Sequence, residues 1–83
     1  MYEIIFSDTA RKQLKKLSFE LQERILHSLE RIRIRPEAFV KRLVGISAYS
    51  FRVGDYRVIL DIDNSKLFVL VLKVAHRKDV YDF

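Results

Sequence analysis

In the stretch YSFRVGDYRV, residues 49–58, two arginines lie at equal distances from Gly54-Asp55. A Gly-Asp pair between alternating apolar runs signals a two-residue hairpin loop. With that loop Val53 pairs with Tyr56, and the next pair outward sets Arg52 opposite Arg57 on one face. Opposed cations have β-carbons about 5 Å apart and destabilise a hairpin unless an anion or water screens them. Guanidinium forks match phosphate oxygens bidentately and keep their charge at cellular pH, so the pair is a candidate phosphate clamp. The alternative is that both long side chains splay into water. Lys73 and Arg77 join them if the turn around Asp63-Asn64-Ser65-Lys66 has three or five residues, because odd positions then pair with odd. A two- or four-residue connection turns them to the opposite face. Converging with Tyr81, four cations would stabilise the extra negative charge of a phosphoryl-transfer transition state.

Other catalytic sets are thin. The chain has no cysteine, which removes thiolate nucleophiles, thiolate metal sites and disulfides, and fits a reducing compartment. His27 falls mid-helix and His76 stands alone at a strand end, so a two-histidine metal site is not expected. Asp61 and Asp63 are explained by a strand edge and a turn, and no glycine-rich nucleotide loop exists. No cofactor is implied. A nuclease built from Arg and Tyr is feasible when the RNA 2′-hydroxyl is the nucleophile, because positioning and charge stabilisation then supply much of the acceleration. A tyrosine acting as base needs nearby cations to lower its pKa; it donates a proton or stacks on a nucleobase without any shift.

The elements that must carry these residues follow from periodicity. Residues 2–6 read as a short strand. Ser7 or Asp8 caps a helix to about Leu17, with Ala10, Leu14 and Leu17 on one face and Arg11, Lys12, Lys15 and Lys16 on the other. Ser18 caps a second helix, in which Leu21, Ile25, Leu29 and Ile32 recur at spacings of four, four and three, and Pro36 limits it near Arg35. The basic helix faces read as solvated surface. After a connecting segment with Phe39, Lys41, Arg42, Leu43 and Gly45, the period changes to two. Strands are predicted over 49–53, 56–62 and 67–75. The fold class is α+β: an N-terminal strand, then a two-helix hairpin packed on an antiparallel sheet completed by three C-terminal strands.

Eighty-three residues fit one domain, 1–83, because a chain of this size cannot divide its core. Sixteen Lys and Arg against eleven Asp and Glu give +5, which suits a polyanionic partner. Met1–Phe6 carries no basic leader, and no apolar run approaches the roughly 20 residues that span a bilayer. A cytoplasmic protein, neither secreted nor inserted in a membrane, is expected.

Several segments together resemble the RelE toxins of the RelE/ParE superfamily. They are the opening strand with FSDTARKQLKKL, the second helix, KRLVG, YSFRVGDYRVIL and the terminal VAHRKDVY. Leu43-x-Gly45, Tyr56-Arg57-Val58, and His76-Arg77 followed by Tyr81 are the most specific parts. The resemblance implies the RelE-like fold and a toxin of a type II toxin–antitoxin operon. Such a toxin enters the ribosomal A site and cleaves mRNA there without a metal, leaving a 2′,3′-cyclic phosphate. It implies a RelB-like antitoxin with an acidic, partly disordered segment, in a toxin–antitoxin hetero-oligomer. The family's site maps onto Ser50 and Arg52 on the second strand, Arg57 on the third, and Arg77 and Tyr81 at the end. Arg57 and Arg77 would stabilise the phosphorane and its leaving oxygen. Arg52 would hold phosphate and assist proton transfer, and Tyr81 would stack on a base or aid the 2′-hydroxyl. It also favours the register in which Arg57 and Arg77 share a face.

Two departures stand out. Ser50 is neutral where well-known members carry a cation, and the segment between Arg77 and Tyr81 is shorter. Lys41, Arg42 or Lys73 would have to compensate for the first. Lys41, Arg42, Ser50, Lys73 and Lys78 are therefore candidate RNA contacts around the catalytic candidates Arg52, Arg57, Arg77 and Tyr81. The competing functions are a ParE-like toxin that inhibits DNA gyrase without cutting RNA, and a non-catalytic RNA- or protein-binding module that uses the same cations merely to hold phosphate.

Overall fold

Two serines set the helices. A computed structural model describes residues 1–43, 48–76 and 78. In it Ser7 Oγ accepts the Ala10 N–H at 3.0 Å and opens helix α1, Asp8–Lys15. Ser18 Oγ accepts the Leu21 N–H at 3.2 Å and opens helix α2, Phe19–Ile32. Both satisfy donors that a helix start leaves without intrahelical partners. Helix α2 ends three residues short of Arg35, which is extended (φ −139°, ψ 81°) because a residue before proline avoids the helical region. Ala10, Ile25, Leu29 and Ile32 are buried as their spacing predicts, and Arg11, Lys12, Lys15 and Lys16 are exposed.

The sheet has five strands: β1 (Glu3–Phe6), β2 (Lys41–Arg42), β3 (Tyr49–Val53), β4 (Tyr56–Asp63) and β5 (Phe68–His76), in the order β1-β5-β4-β3-β2. The antiparallel meander of the last three is as expected. Two features go beyond it. Strand β1 enters beside β5 in parallel, from Glu3↔Phe68 to Phe6↔Val71, so the sheet is mixed. Lys41 and Arg42, read as connecting chain, form a two-residue edge strand opposite Ser50 and Tyr49. One sheet face, with Phe51, Val53, Val58, Leu60, Val69, Val71 and Val74, packs on the helices. The other carries a smaller apolar cluster of Ala48 and Ile59 with Leu43, Leu72 and Ala75. Beyond the end of β1, α1 covers the exposed edge of β5. Ser7 Oγ donates to the Leu72 carbonyl at 3.0 Å, and the Val74 N–H donates to Gln13 Oε1 at 2.7 Å. No described helix is long and apolar enough to cross a membrane.

Register is what positions the charges. Gly54, at φ +59°, takes the first central position of the two-residue loop, as a type II′ turn requires. A β-carbon there would meet Arg24 Nη1 at an ordinary 3.5 Å, so a side chain is penalised by backbone strain and not by a clash. Gly54→Val is expected to cost about 1–2 kcal/mol, read in thermal melting as a midpoint lowered by about 4–15 °C. An unchanged midpoint would show that this loop does not hold the register.

The β4–β5 connection, residues 64–67, is four residues long and pairs Asp63 with Phe68, odd with even. A bulge between Ile59 and Leu60 then shifts the ladder by one, so that Ile59 faces Lys73 and Arg57 faces Ala75. A four-residue turn alone would have sent Lys73 to the helix side; the bulge returns it to the face of Arg57.

Asp63 organises this turn. Its Oδ1 accepts from Ser65 Oγ at 2.7 Å and from the Ser65 and Lys66 N–H groups at 3.0 Å each. The Ser65 hydroxyl and then the Lys66 amide hold its carboxyl below the ordinary carboxylate value. A lowered folded-state pKa stabilises fully above the unfolded value, and that stabilisation is lost as pH falls through the folded one. The gap in urea midpoint between the parent and Asp63→Ala is therefore expected to narrow as pH falls from neutral through the carboxylate range. A gap independent of pH would show that the charge contributes nothing to the turn.

Candidate functional site

Arg52 and Arg57 are register partners. The pair flanking a two-residue loop exchanges both hydrogen bonds, so Arg52 and Arg57 form the next, non-hydrogen-bonded pair, in which side chains lie closest. Arg52 is exposed and Arg57 half-buried, with its Nε withdrawn from solvent. Ala75 stands directly opposite Arg57 on β5 and leaves room for the guanidinium. One row inward on the same face, Lys41, Ser50, Ile59 and Lys73 align across four strands. Lys41 and Lys73 thus flank the arginine pair on either side. Ile59, fully buried, sits between them and supplies an apolar floor on which long cationic stems can lie.

Ser50 is 7% exposed and occupies the floor rather than the rim. Arg42 pairs with Tyr49, so its side chain leaves the sheet on the helix side. Lys78 is exposed just past β5, and its N–H donates to His76 Nδ1 at 3.3 Å. His76 also meets the Tyr56 ring edge-on, with centroids 5.5 Å apart and planes at 77°. Both contacts give this histidine a structural task at the strand end. Arg77 and Tyr81 lie outside the described residues, as does Gly45.

A cleft of about 540 Å³ opens beside Arg52 and Arg57 and runs along the edge of β3, which β2 covers only at Tyr49 and Ser50. Among the described residues five cations line it, Arg31, Lys41, Arg42, Arg52 and Arg57, and no carboxylate does. Such a lining selects anions, and guanidinium groups at its mouth favour phosphate. Its helix-side wall, with Arg31 and Phe39, was not legible from periodicity: Arg31 reads as solvated helix surface, and Phe39 follows Pro36 outside any repeat. A large apolar residue placed between a proline break and Lys41-Arg42 was the available signal.

The family model for the ParE toxin of type II toxin–antitoxin systems matches residues 4–81. Toxin RelG of Mycobacterium tuberculosis is 31% identical over 84 residues, spanning 96% of this chain and 95% of that protein. The chain belongs to the RelE/ParE toxin superfamily. It is a RelE-type toxin of a type II toxin–antitoxin system. The structures agree with this membership. A chain of the M. tuberculosis RelBE2 toxin–antitoxin complex superposes with a TM-score of 0.84 at 29% identity, over 92% of this chain and 98% of that one. The isolated Escherichia coli RelE toxin superposes with a TM-score of 0.82 at 26% identity, over 99% of this chain and 93% of that one. The RelE-like fold class, with two helices on a five-stranded mixed sheet, is shared with both.

Proposed function

We propose that this RelE-type toxin is a ribosome-dependent endoribonuclease that cleaves mRNA in the A site. The observation that carries the reading is the opposed Arg52–Arg57 pair, flanked by Lys41 and Lys73 on one sheet face. A stability-driven hairpin avoids opposed cations, and a transferring phosphoryl group needs them. In the reaction the 2′-oxygen loses its proton and forms a bond to the adjacent phosphorus. The bond from phosphorus to the 5′-oxygen then breaks, leaving a 2′,3′-cyclic phosphate and a protonated 5′-hydroxyl. Arg57 and Arg77 stabilise the pentacoordinate phosphorane and its leaving oxygen. Arg52 holds a non-bridging oxygen and assists proton transfer, and Tyr81 stacks on the base or aids the 2′-hydroxyl. Lys41, Lys73 and Lys78 hold flanking phosphates, with Arg42 on the helix side of the cleft. The ribosome supplies the mRNA geometry that a 540 Å³ cleft cannot impose alone.

An acidic antitoxin fits the same cations. The similar mycobacterial chain is part of a toxin–antitoxin complex, and a RelB-like partner here would neutralise the patch in the cytoplasm. Primer extension on translated mRNA tests the reading. Codon-positioned cuts are expected, and intact mRNA in translating extract would overturn it. The ParE description of the matched family favours gyrase inhibition as the second reading; loss of DNA supercoiling with intact mRNA would select it.

A further inference from the structure

The cleft does not stop at the arginine pair. It continues around the edge of β3 beyond its pairing with β2 to a wall formed by Arg31 on α2 and by Phe39, which follows the short turn Pro36–Ala38. Phe39 is 51% exposed, and Arg31 and Arg42 are exposed beside the same opening. Phe39 is not among the residues packed in the hydrophobic core. The hydrogen bond from the Phe39 N–H to the Pro36 carbonyl, 3.4 Å, fixes its backbone at the end of the turn. Beyond β2 the Arg52 N–H and carbonyl, directed away from β4 by the non-hydrogen-bonded pairing, face this edge as well.

We propose that the helix-side half of the cleft is a nucleotide subsite for the RNA strand leaving the Arg52–Arg57 clamp: Phe39 stacks on a base, and Arg31 and Arg42 hold the neighbouring phosphate. The proposal rests on the endoribonuclease reading for the identity of the strand. Three features select single-stranded nucleic acid over an acidic peptide. The wall is continuous with the phosphate clamp, its cations are mostly planar guanidinium groups, and it offers an exposed aromatic face. Cationic grooves with stacking platforms bind single strands because every base has a π-face. The two basic residues and the ring also lie away from the reacting phosphate, so they position the strand and take no part in bond making.

The test is fluorescence anisotropy of the full chain with a labelled single-stranded pentanucleotide made uncleavable by 2′-O-methyl groups at every position. Phe39→Ala is expected to weaken binding about 5- to 150-fold, with the salt dependence unchanged and Phe39→Trp restoring affinity. The loss should vanish on an oligonucleotide with an abasic site at the stacked position. Arg31→Ala is expected to lower the slope of log affinity against log salt by about 0.7, the contribution of one single-strand phosphate. Melting temperatures should match the parent. Parental oligonucleotide affinity in both variants would overturn the proposal. So would an equal Phe39→Ala loss on every abasic oligonucleotide, or a loss seen only toward a glutamate-rich amphipathic peptide. Cleavage of translated mRNA separates the two readings. If the parent cuts and Phe39→Ala binds normally, the subsite alone fails; if the parent never cuts and Phe39-dependent binding stands, the enzymatic reading alone fails.

Discussion

Arg57→Ala is expected to slow mRNA cleavage about 10²–10³-fold, the loss typical of removing one preorganised donor to a charged transition state. Arg57 combines half-burial with a planar guanidinium at the centre of the cationic face. It faces Arg52 on one side and Ala75 on the other, and its Nε is withdrawn from solvent. Charge held in a partly desolvated site acts through a lower effective dielectric than charge on a fully exposed stem. Arg57→Lys keeps the charge and loses the planar fork, so it should recover only part of the rate. Single-turnover primer extension on programmed ribosomes reads the chemical step, and co-sedimentation reads ribosome binding. The expected signature is parental binding with slowed cutting. Parental cutting in Arg57→Ala would remove the arginine pair from the mechanism, and a collapsed melting temperature would assign the residue to the fold.

The opposed pair was readable because a two-residue loop leaves one choice of register: once Gly54-Asp55 is the turn, Arg52 must face Arg57. Lys73 was not readable in this way. Its face depends on a bulge inside the apolar run Leu70-Val71-Leu72-Lys73, where an extra residue changes no local pattern. The helices were legible because serine caps and three- and four-residue spacings agree with each other. The parallel pairing of β1 with β5 is a tertiary choice between two possible sheet edges, which an alternating pattern does not encode. Strand β2 is too short to show any period. The continuation of the cleft depends on where β2 stops, so Phe39 and Arg31 become visible only once β2 is seen to pair with β3 no further than Ser50.

If the arginine pair is kept for function at the expense of stability, one substitution should move the two in opposite directions. Arg52→Glu replaces a like-charge cross-strand pair by an opposite-charge pair with Arg57, and each half of that exchange is worth about 0.2–1 kcal/mol. The melting temperature is expected to rise by about 2–16 °C, given about 4–8 °C per kcal/mol for a domain of this size. The gain should shrink in 1 M salt, where the screening length falls to about 3 Å. Cleavage should fall by at least the about 10²–10³-fold expected for losing a donor, because the carboxylate also neutralises Arg57 and repels the incoming phosphate. Differential scanning fluorimetry and primer extension on the same preparation read both. A variant that melts lower and still cuts at the parental rate would mean that the two arginines already splay apart into water and share no anion. A variant that melts higher and no longer cuts locates the cost of activity in the hairpin itself, at the pair that the Gly54-Asp55 loop forces together.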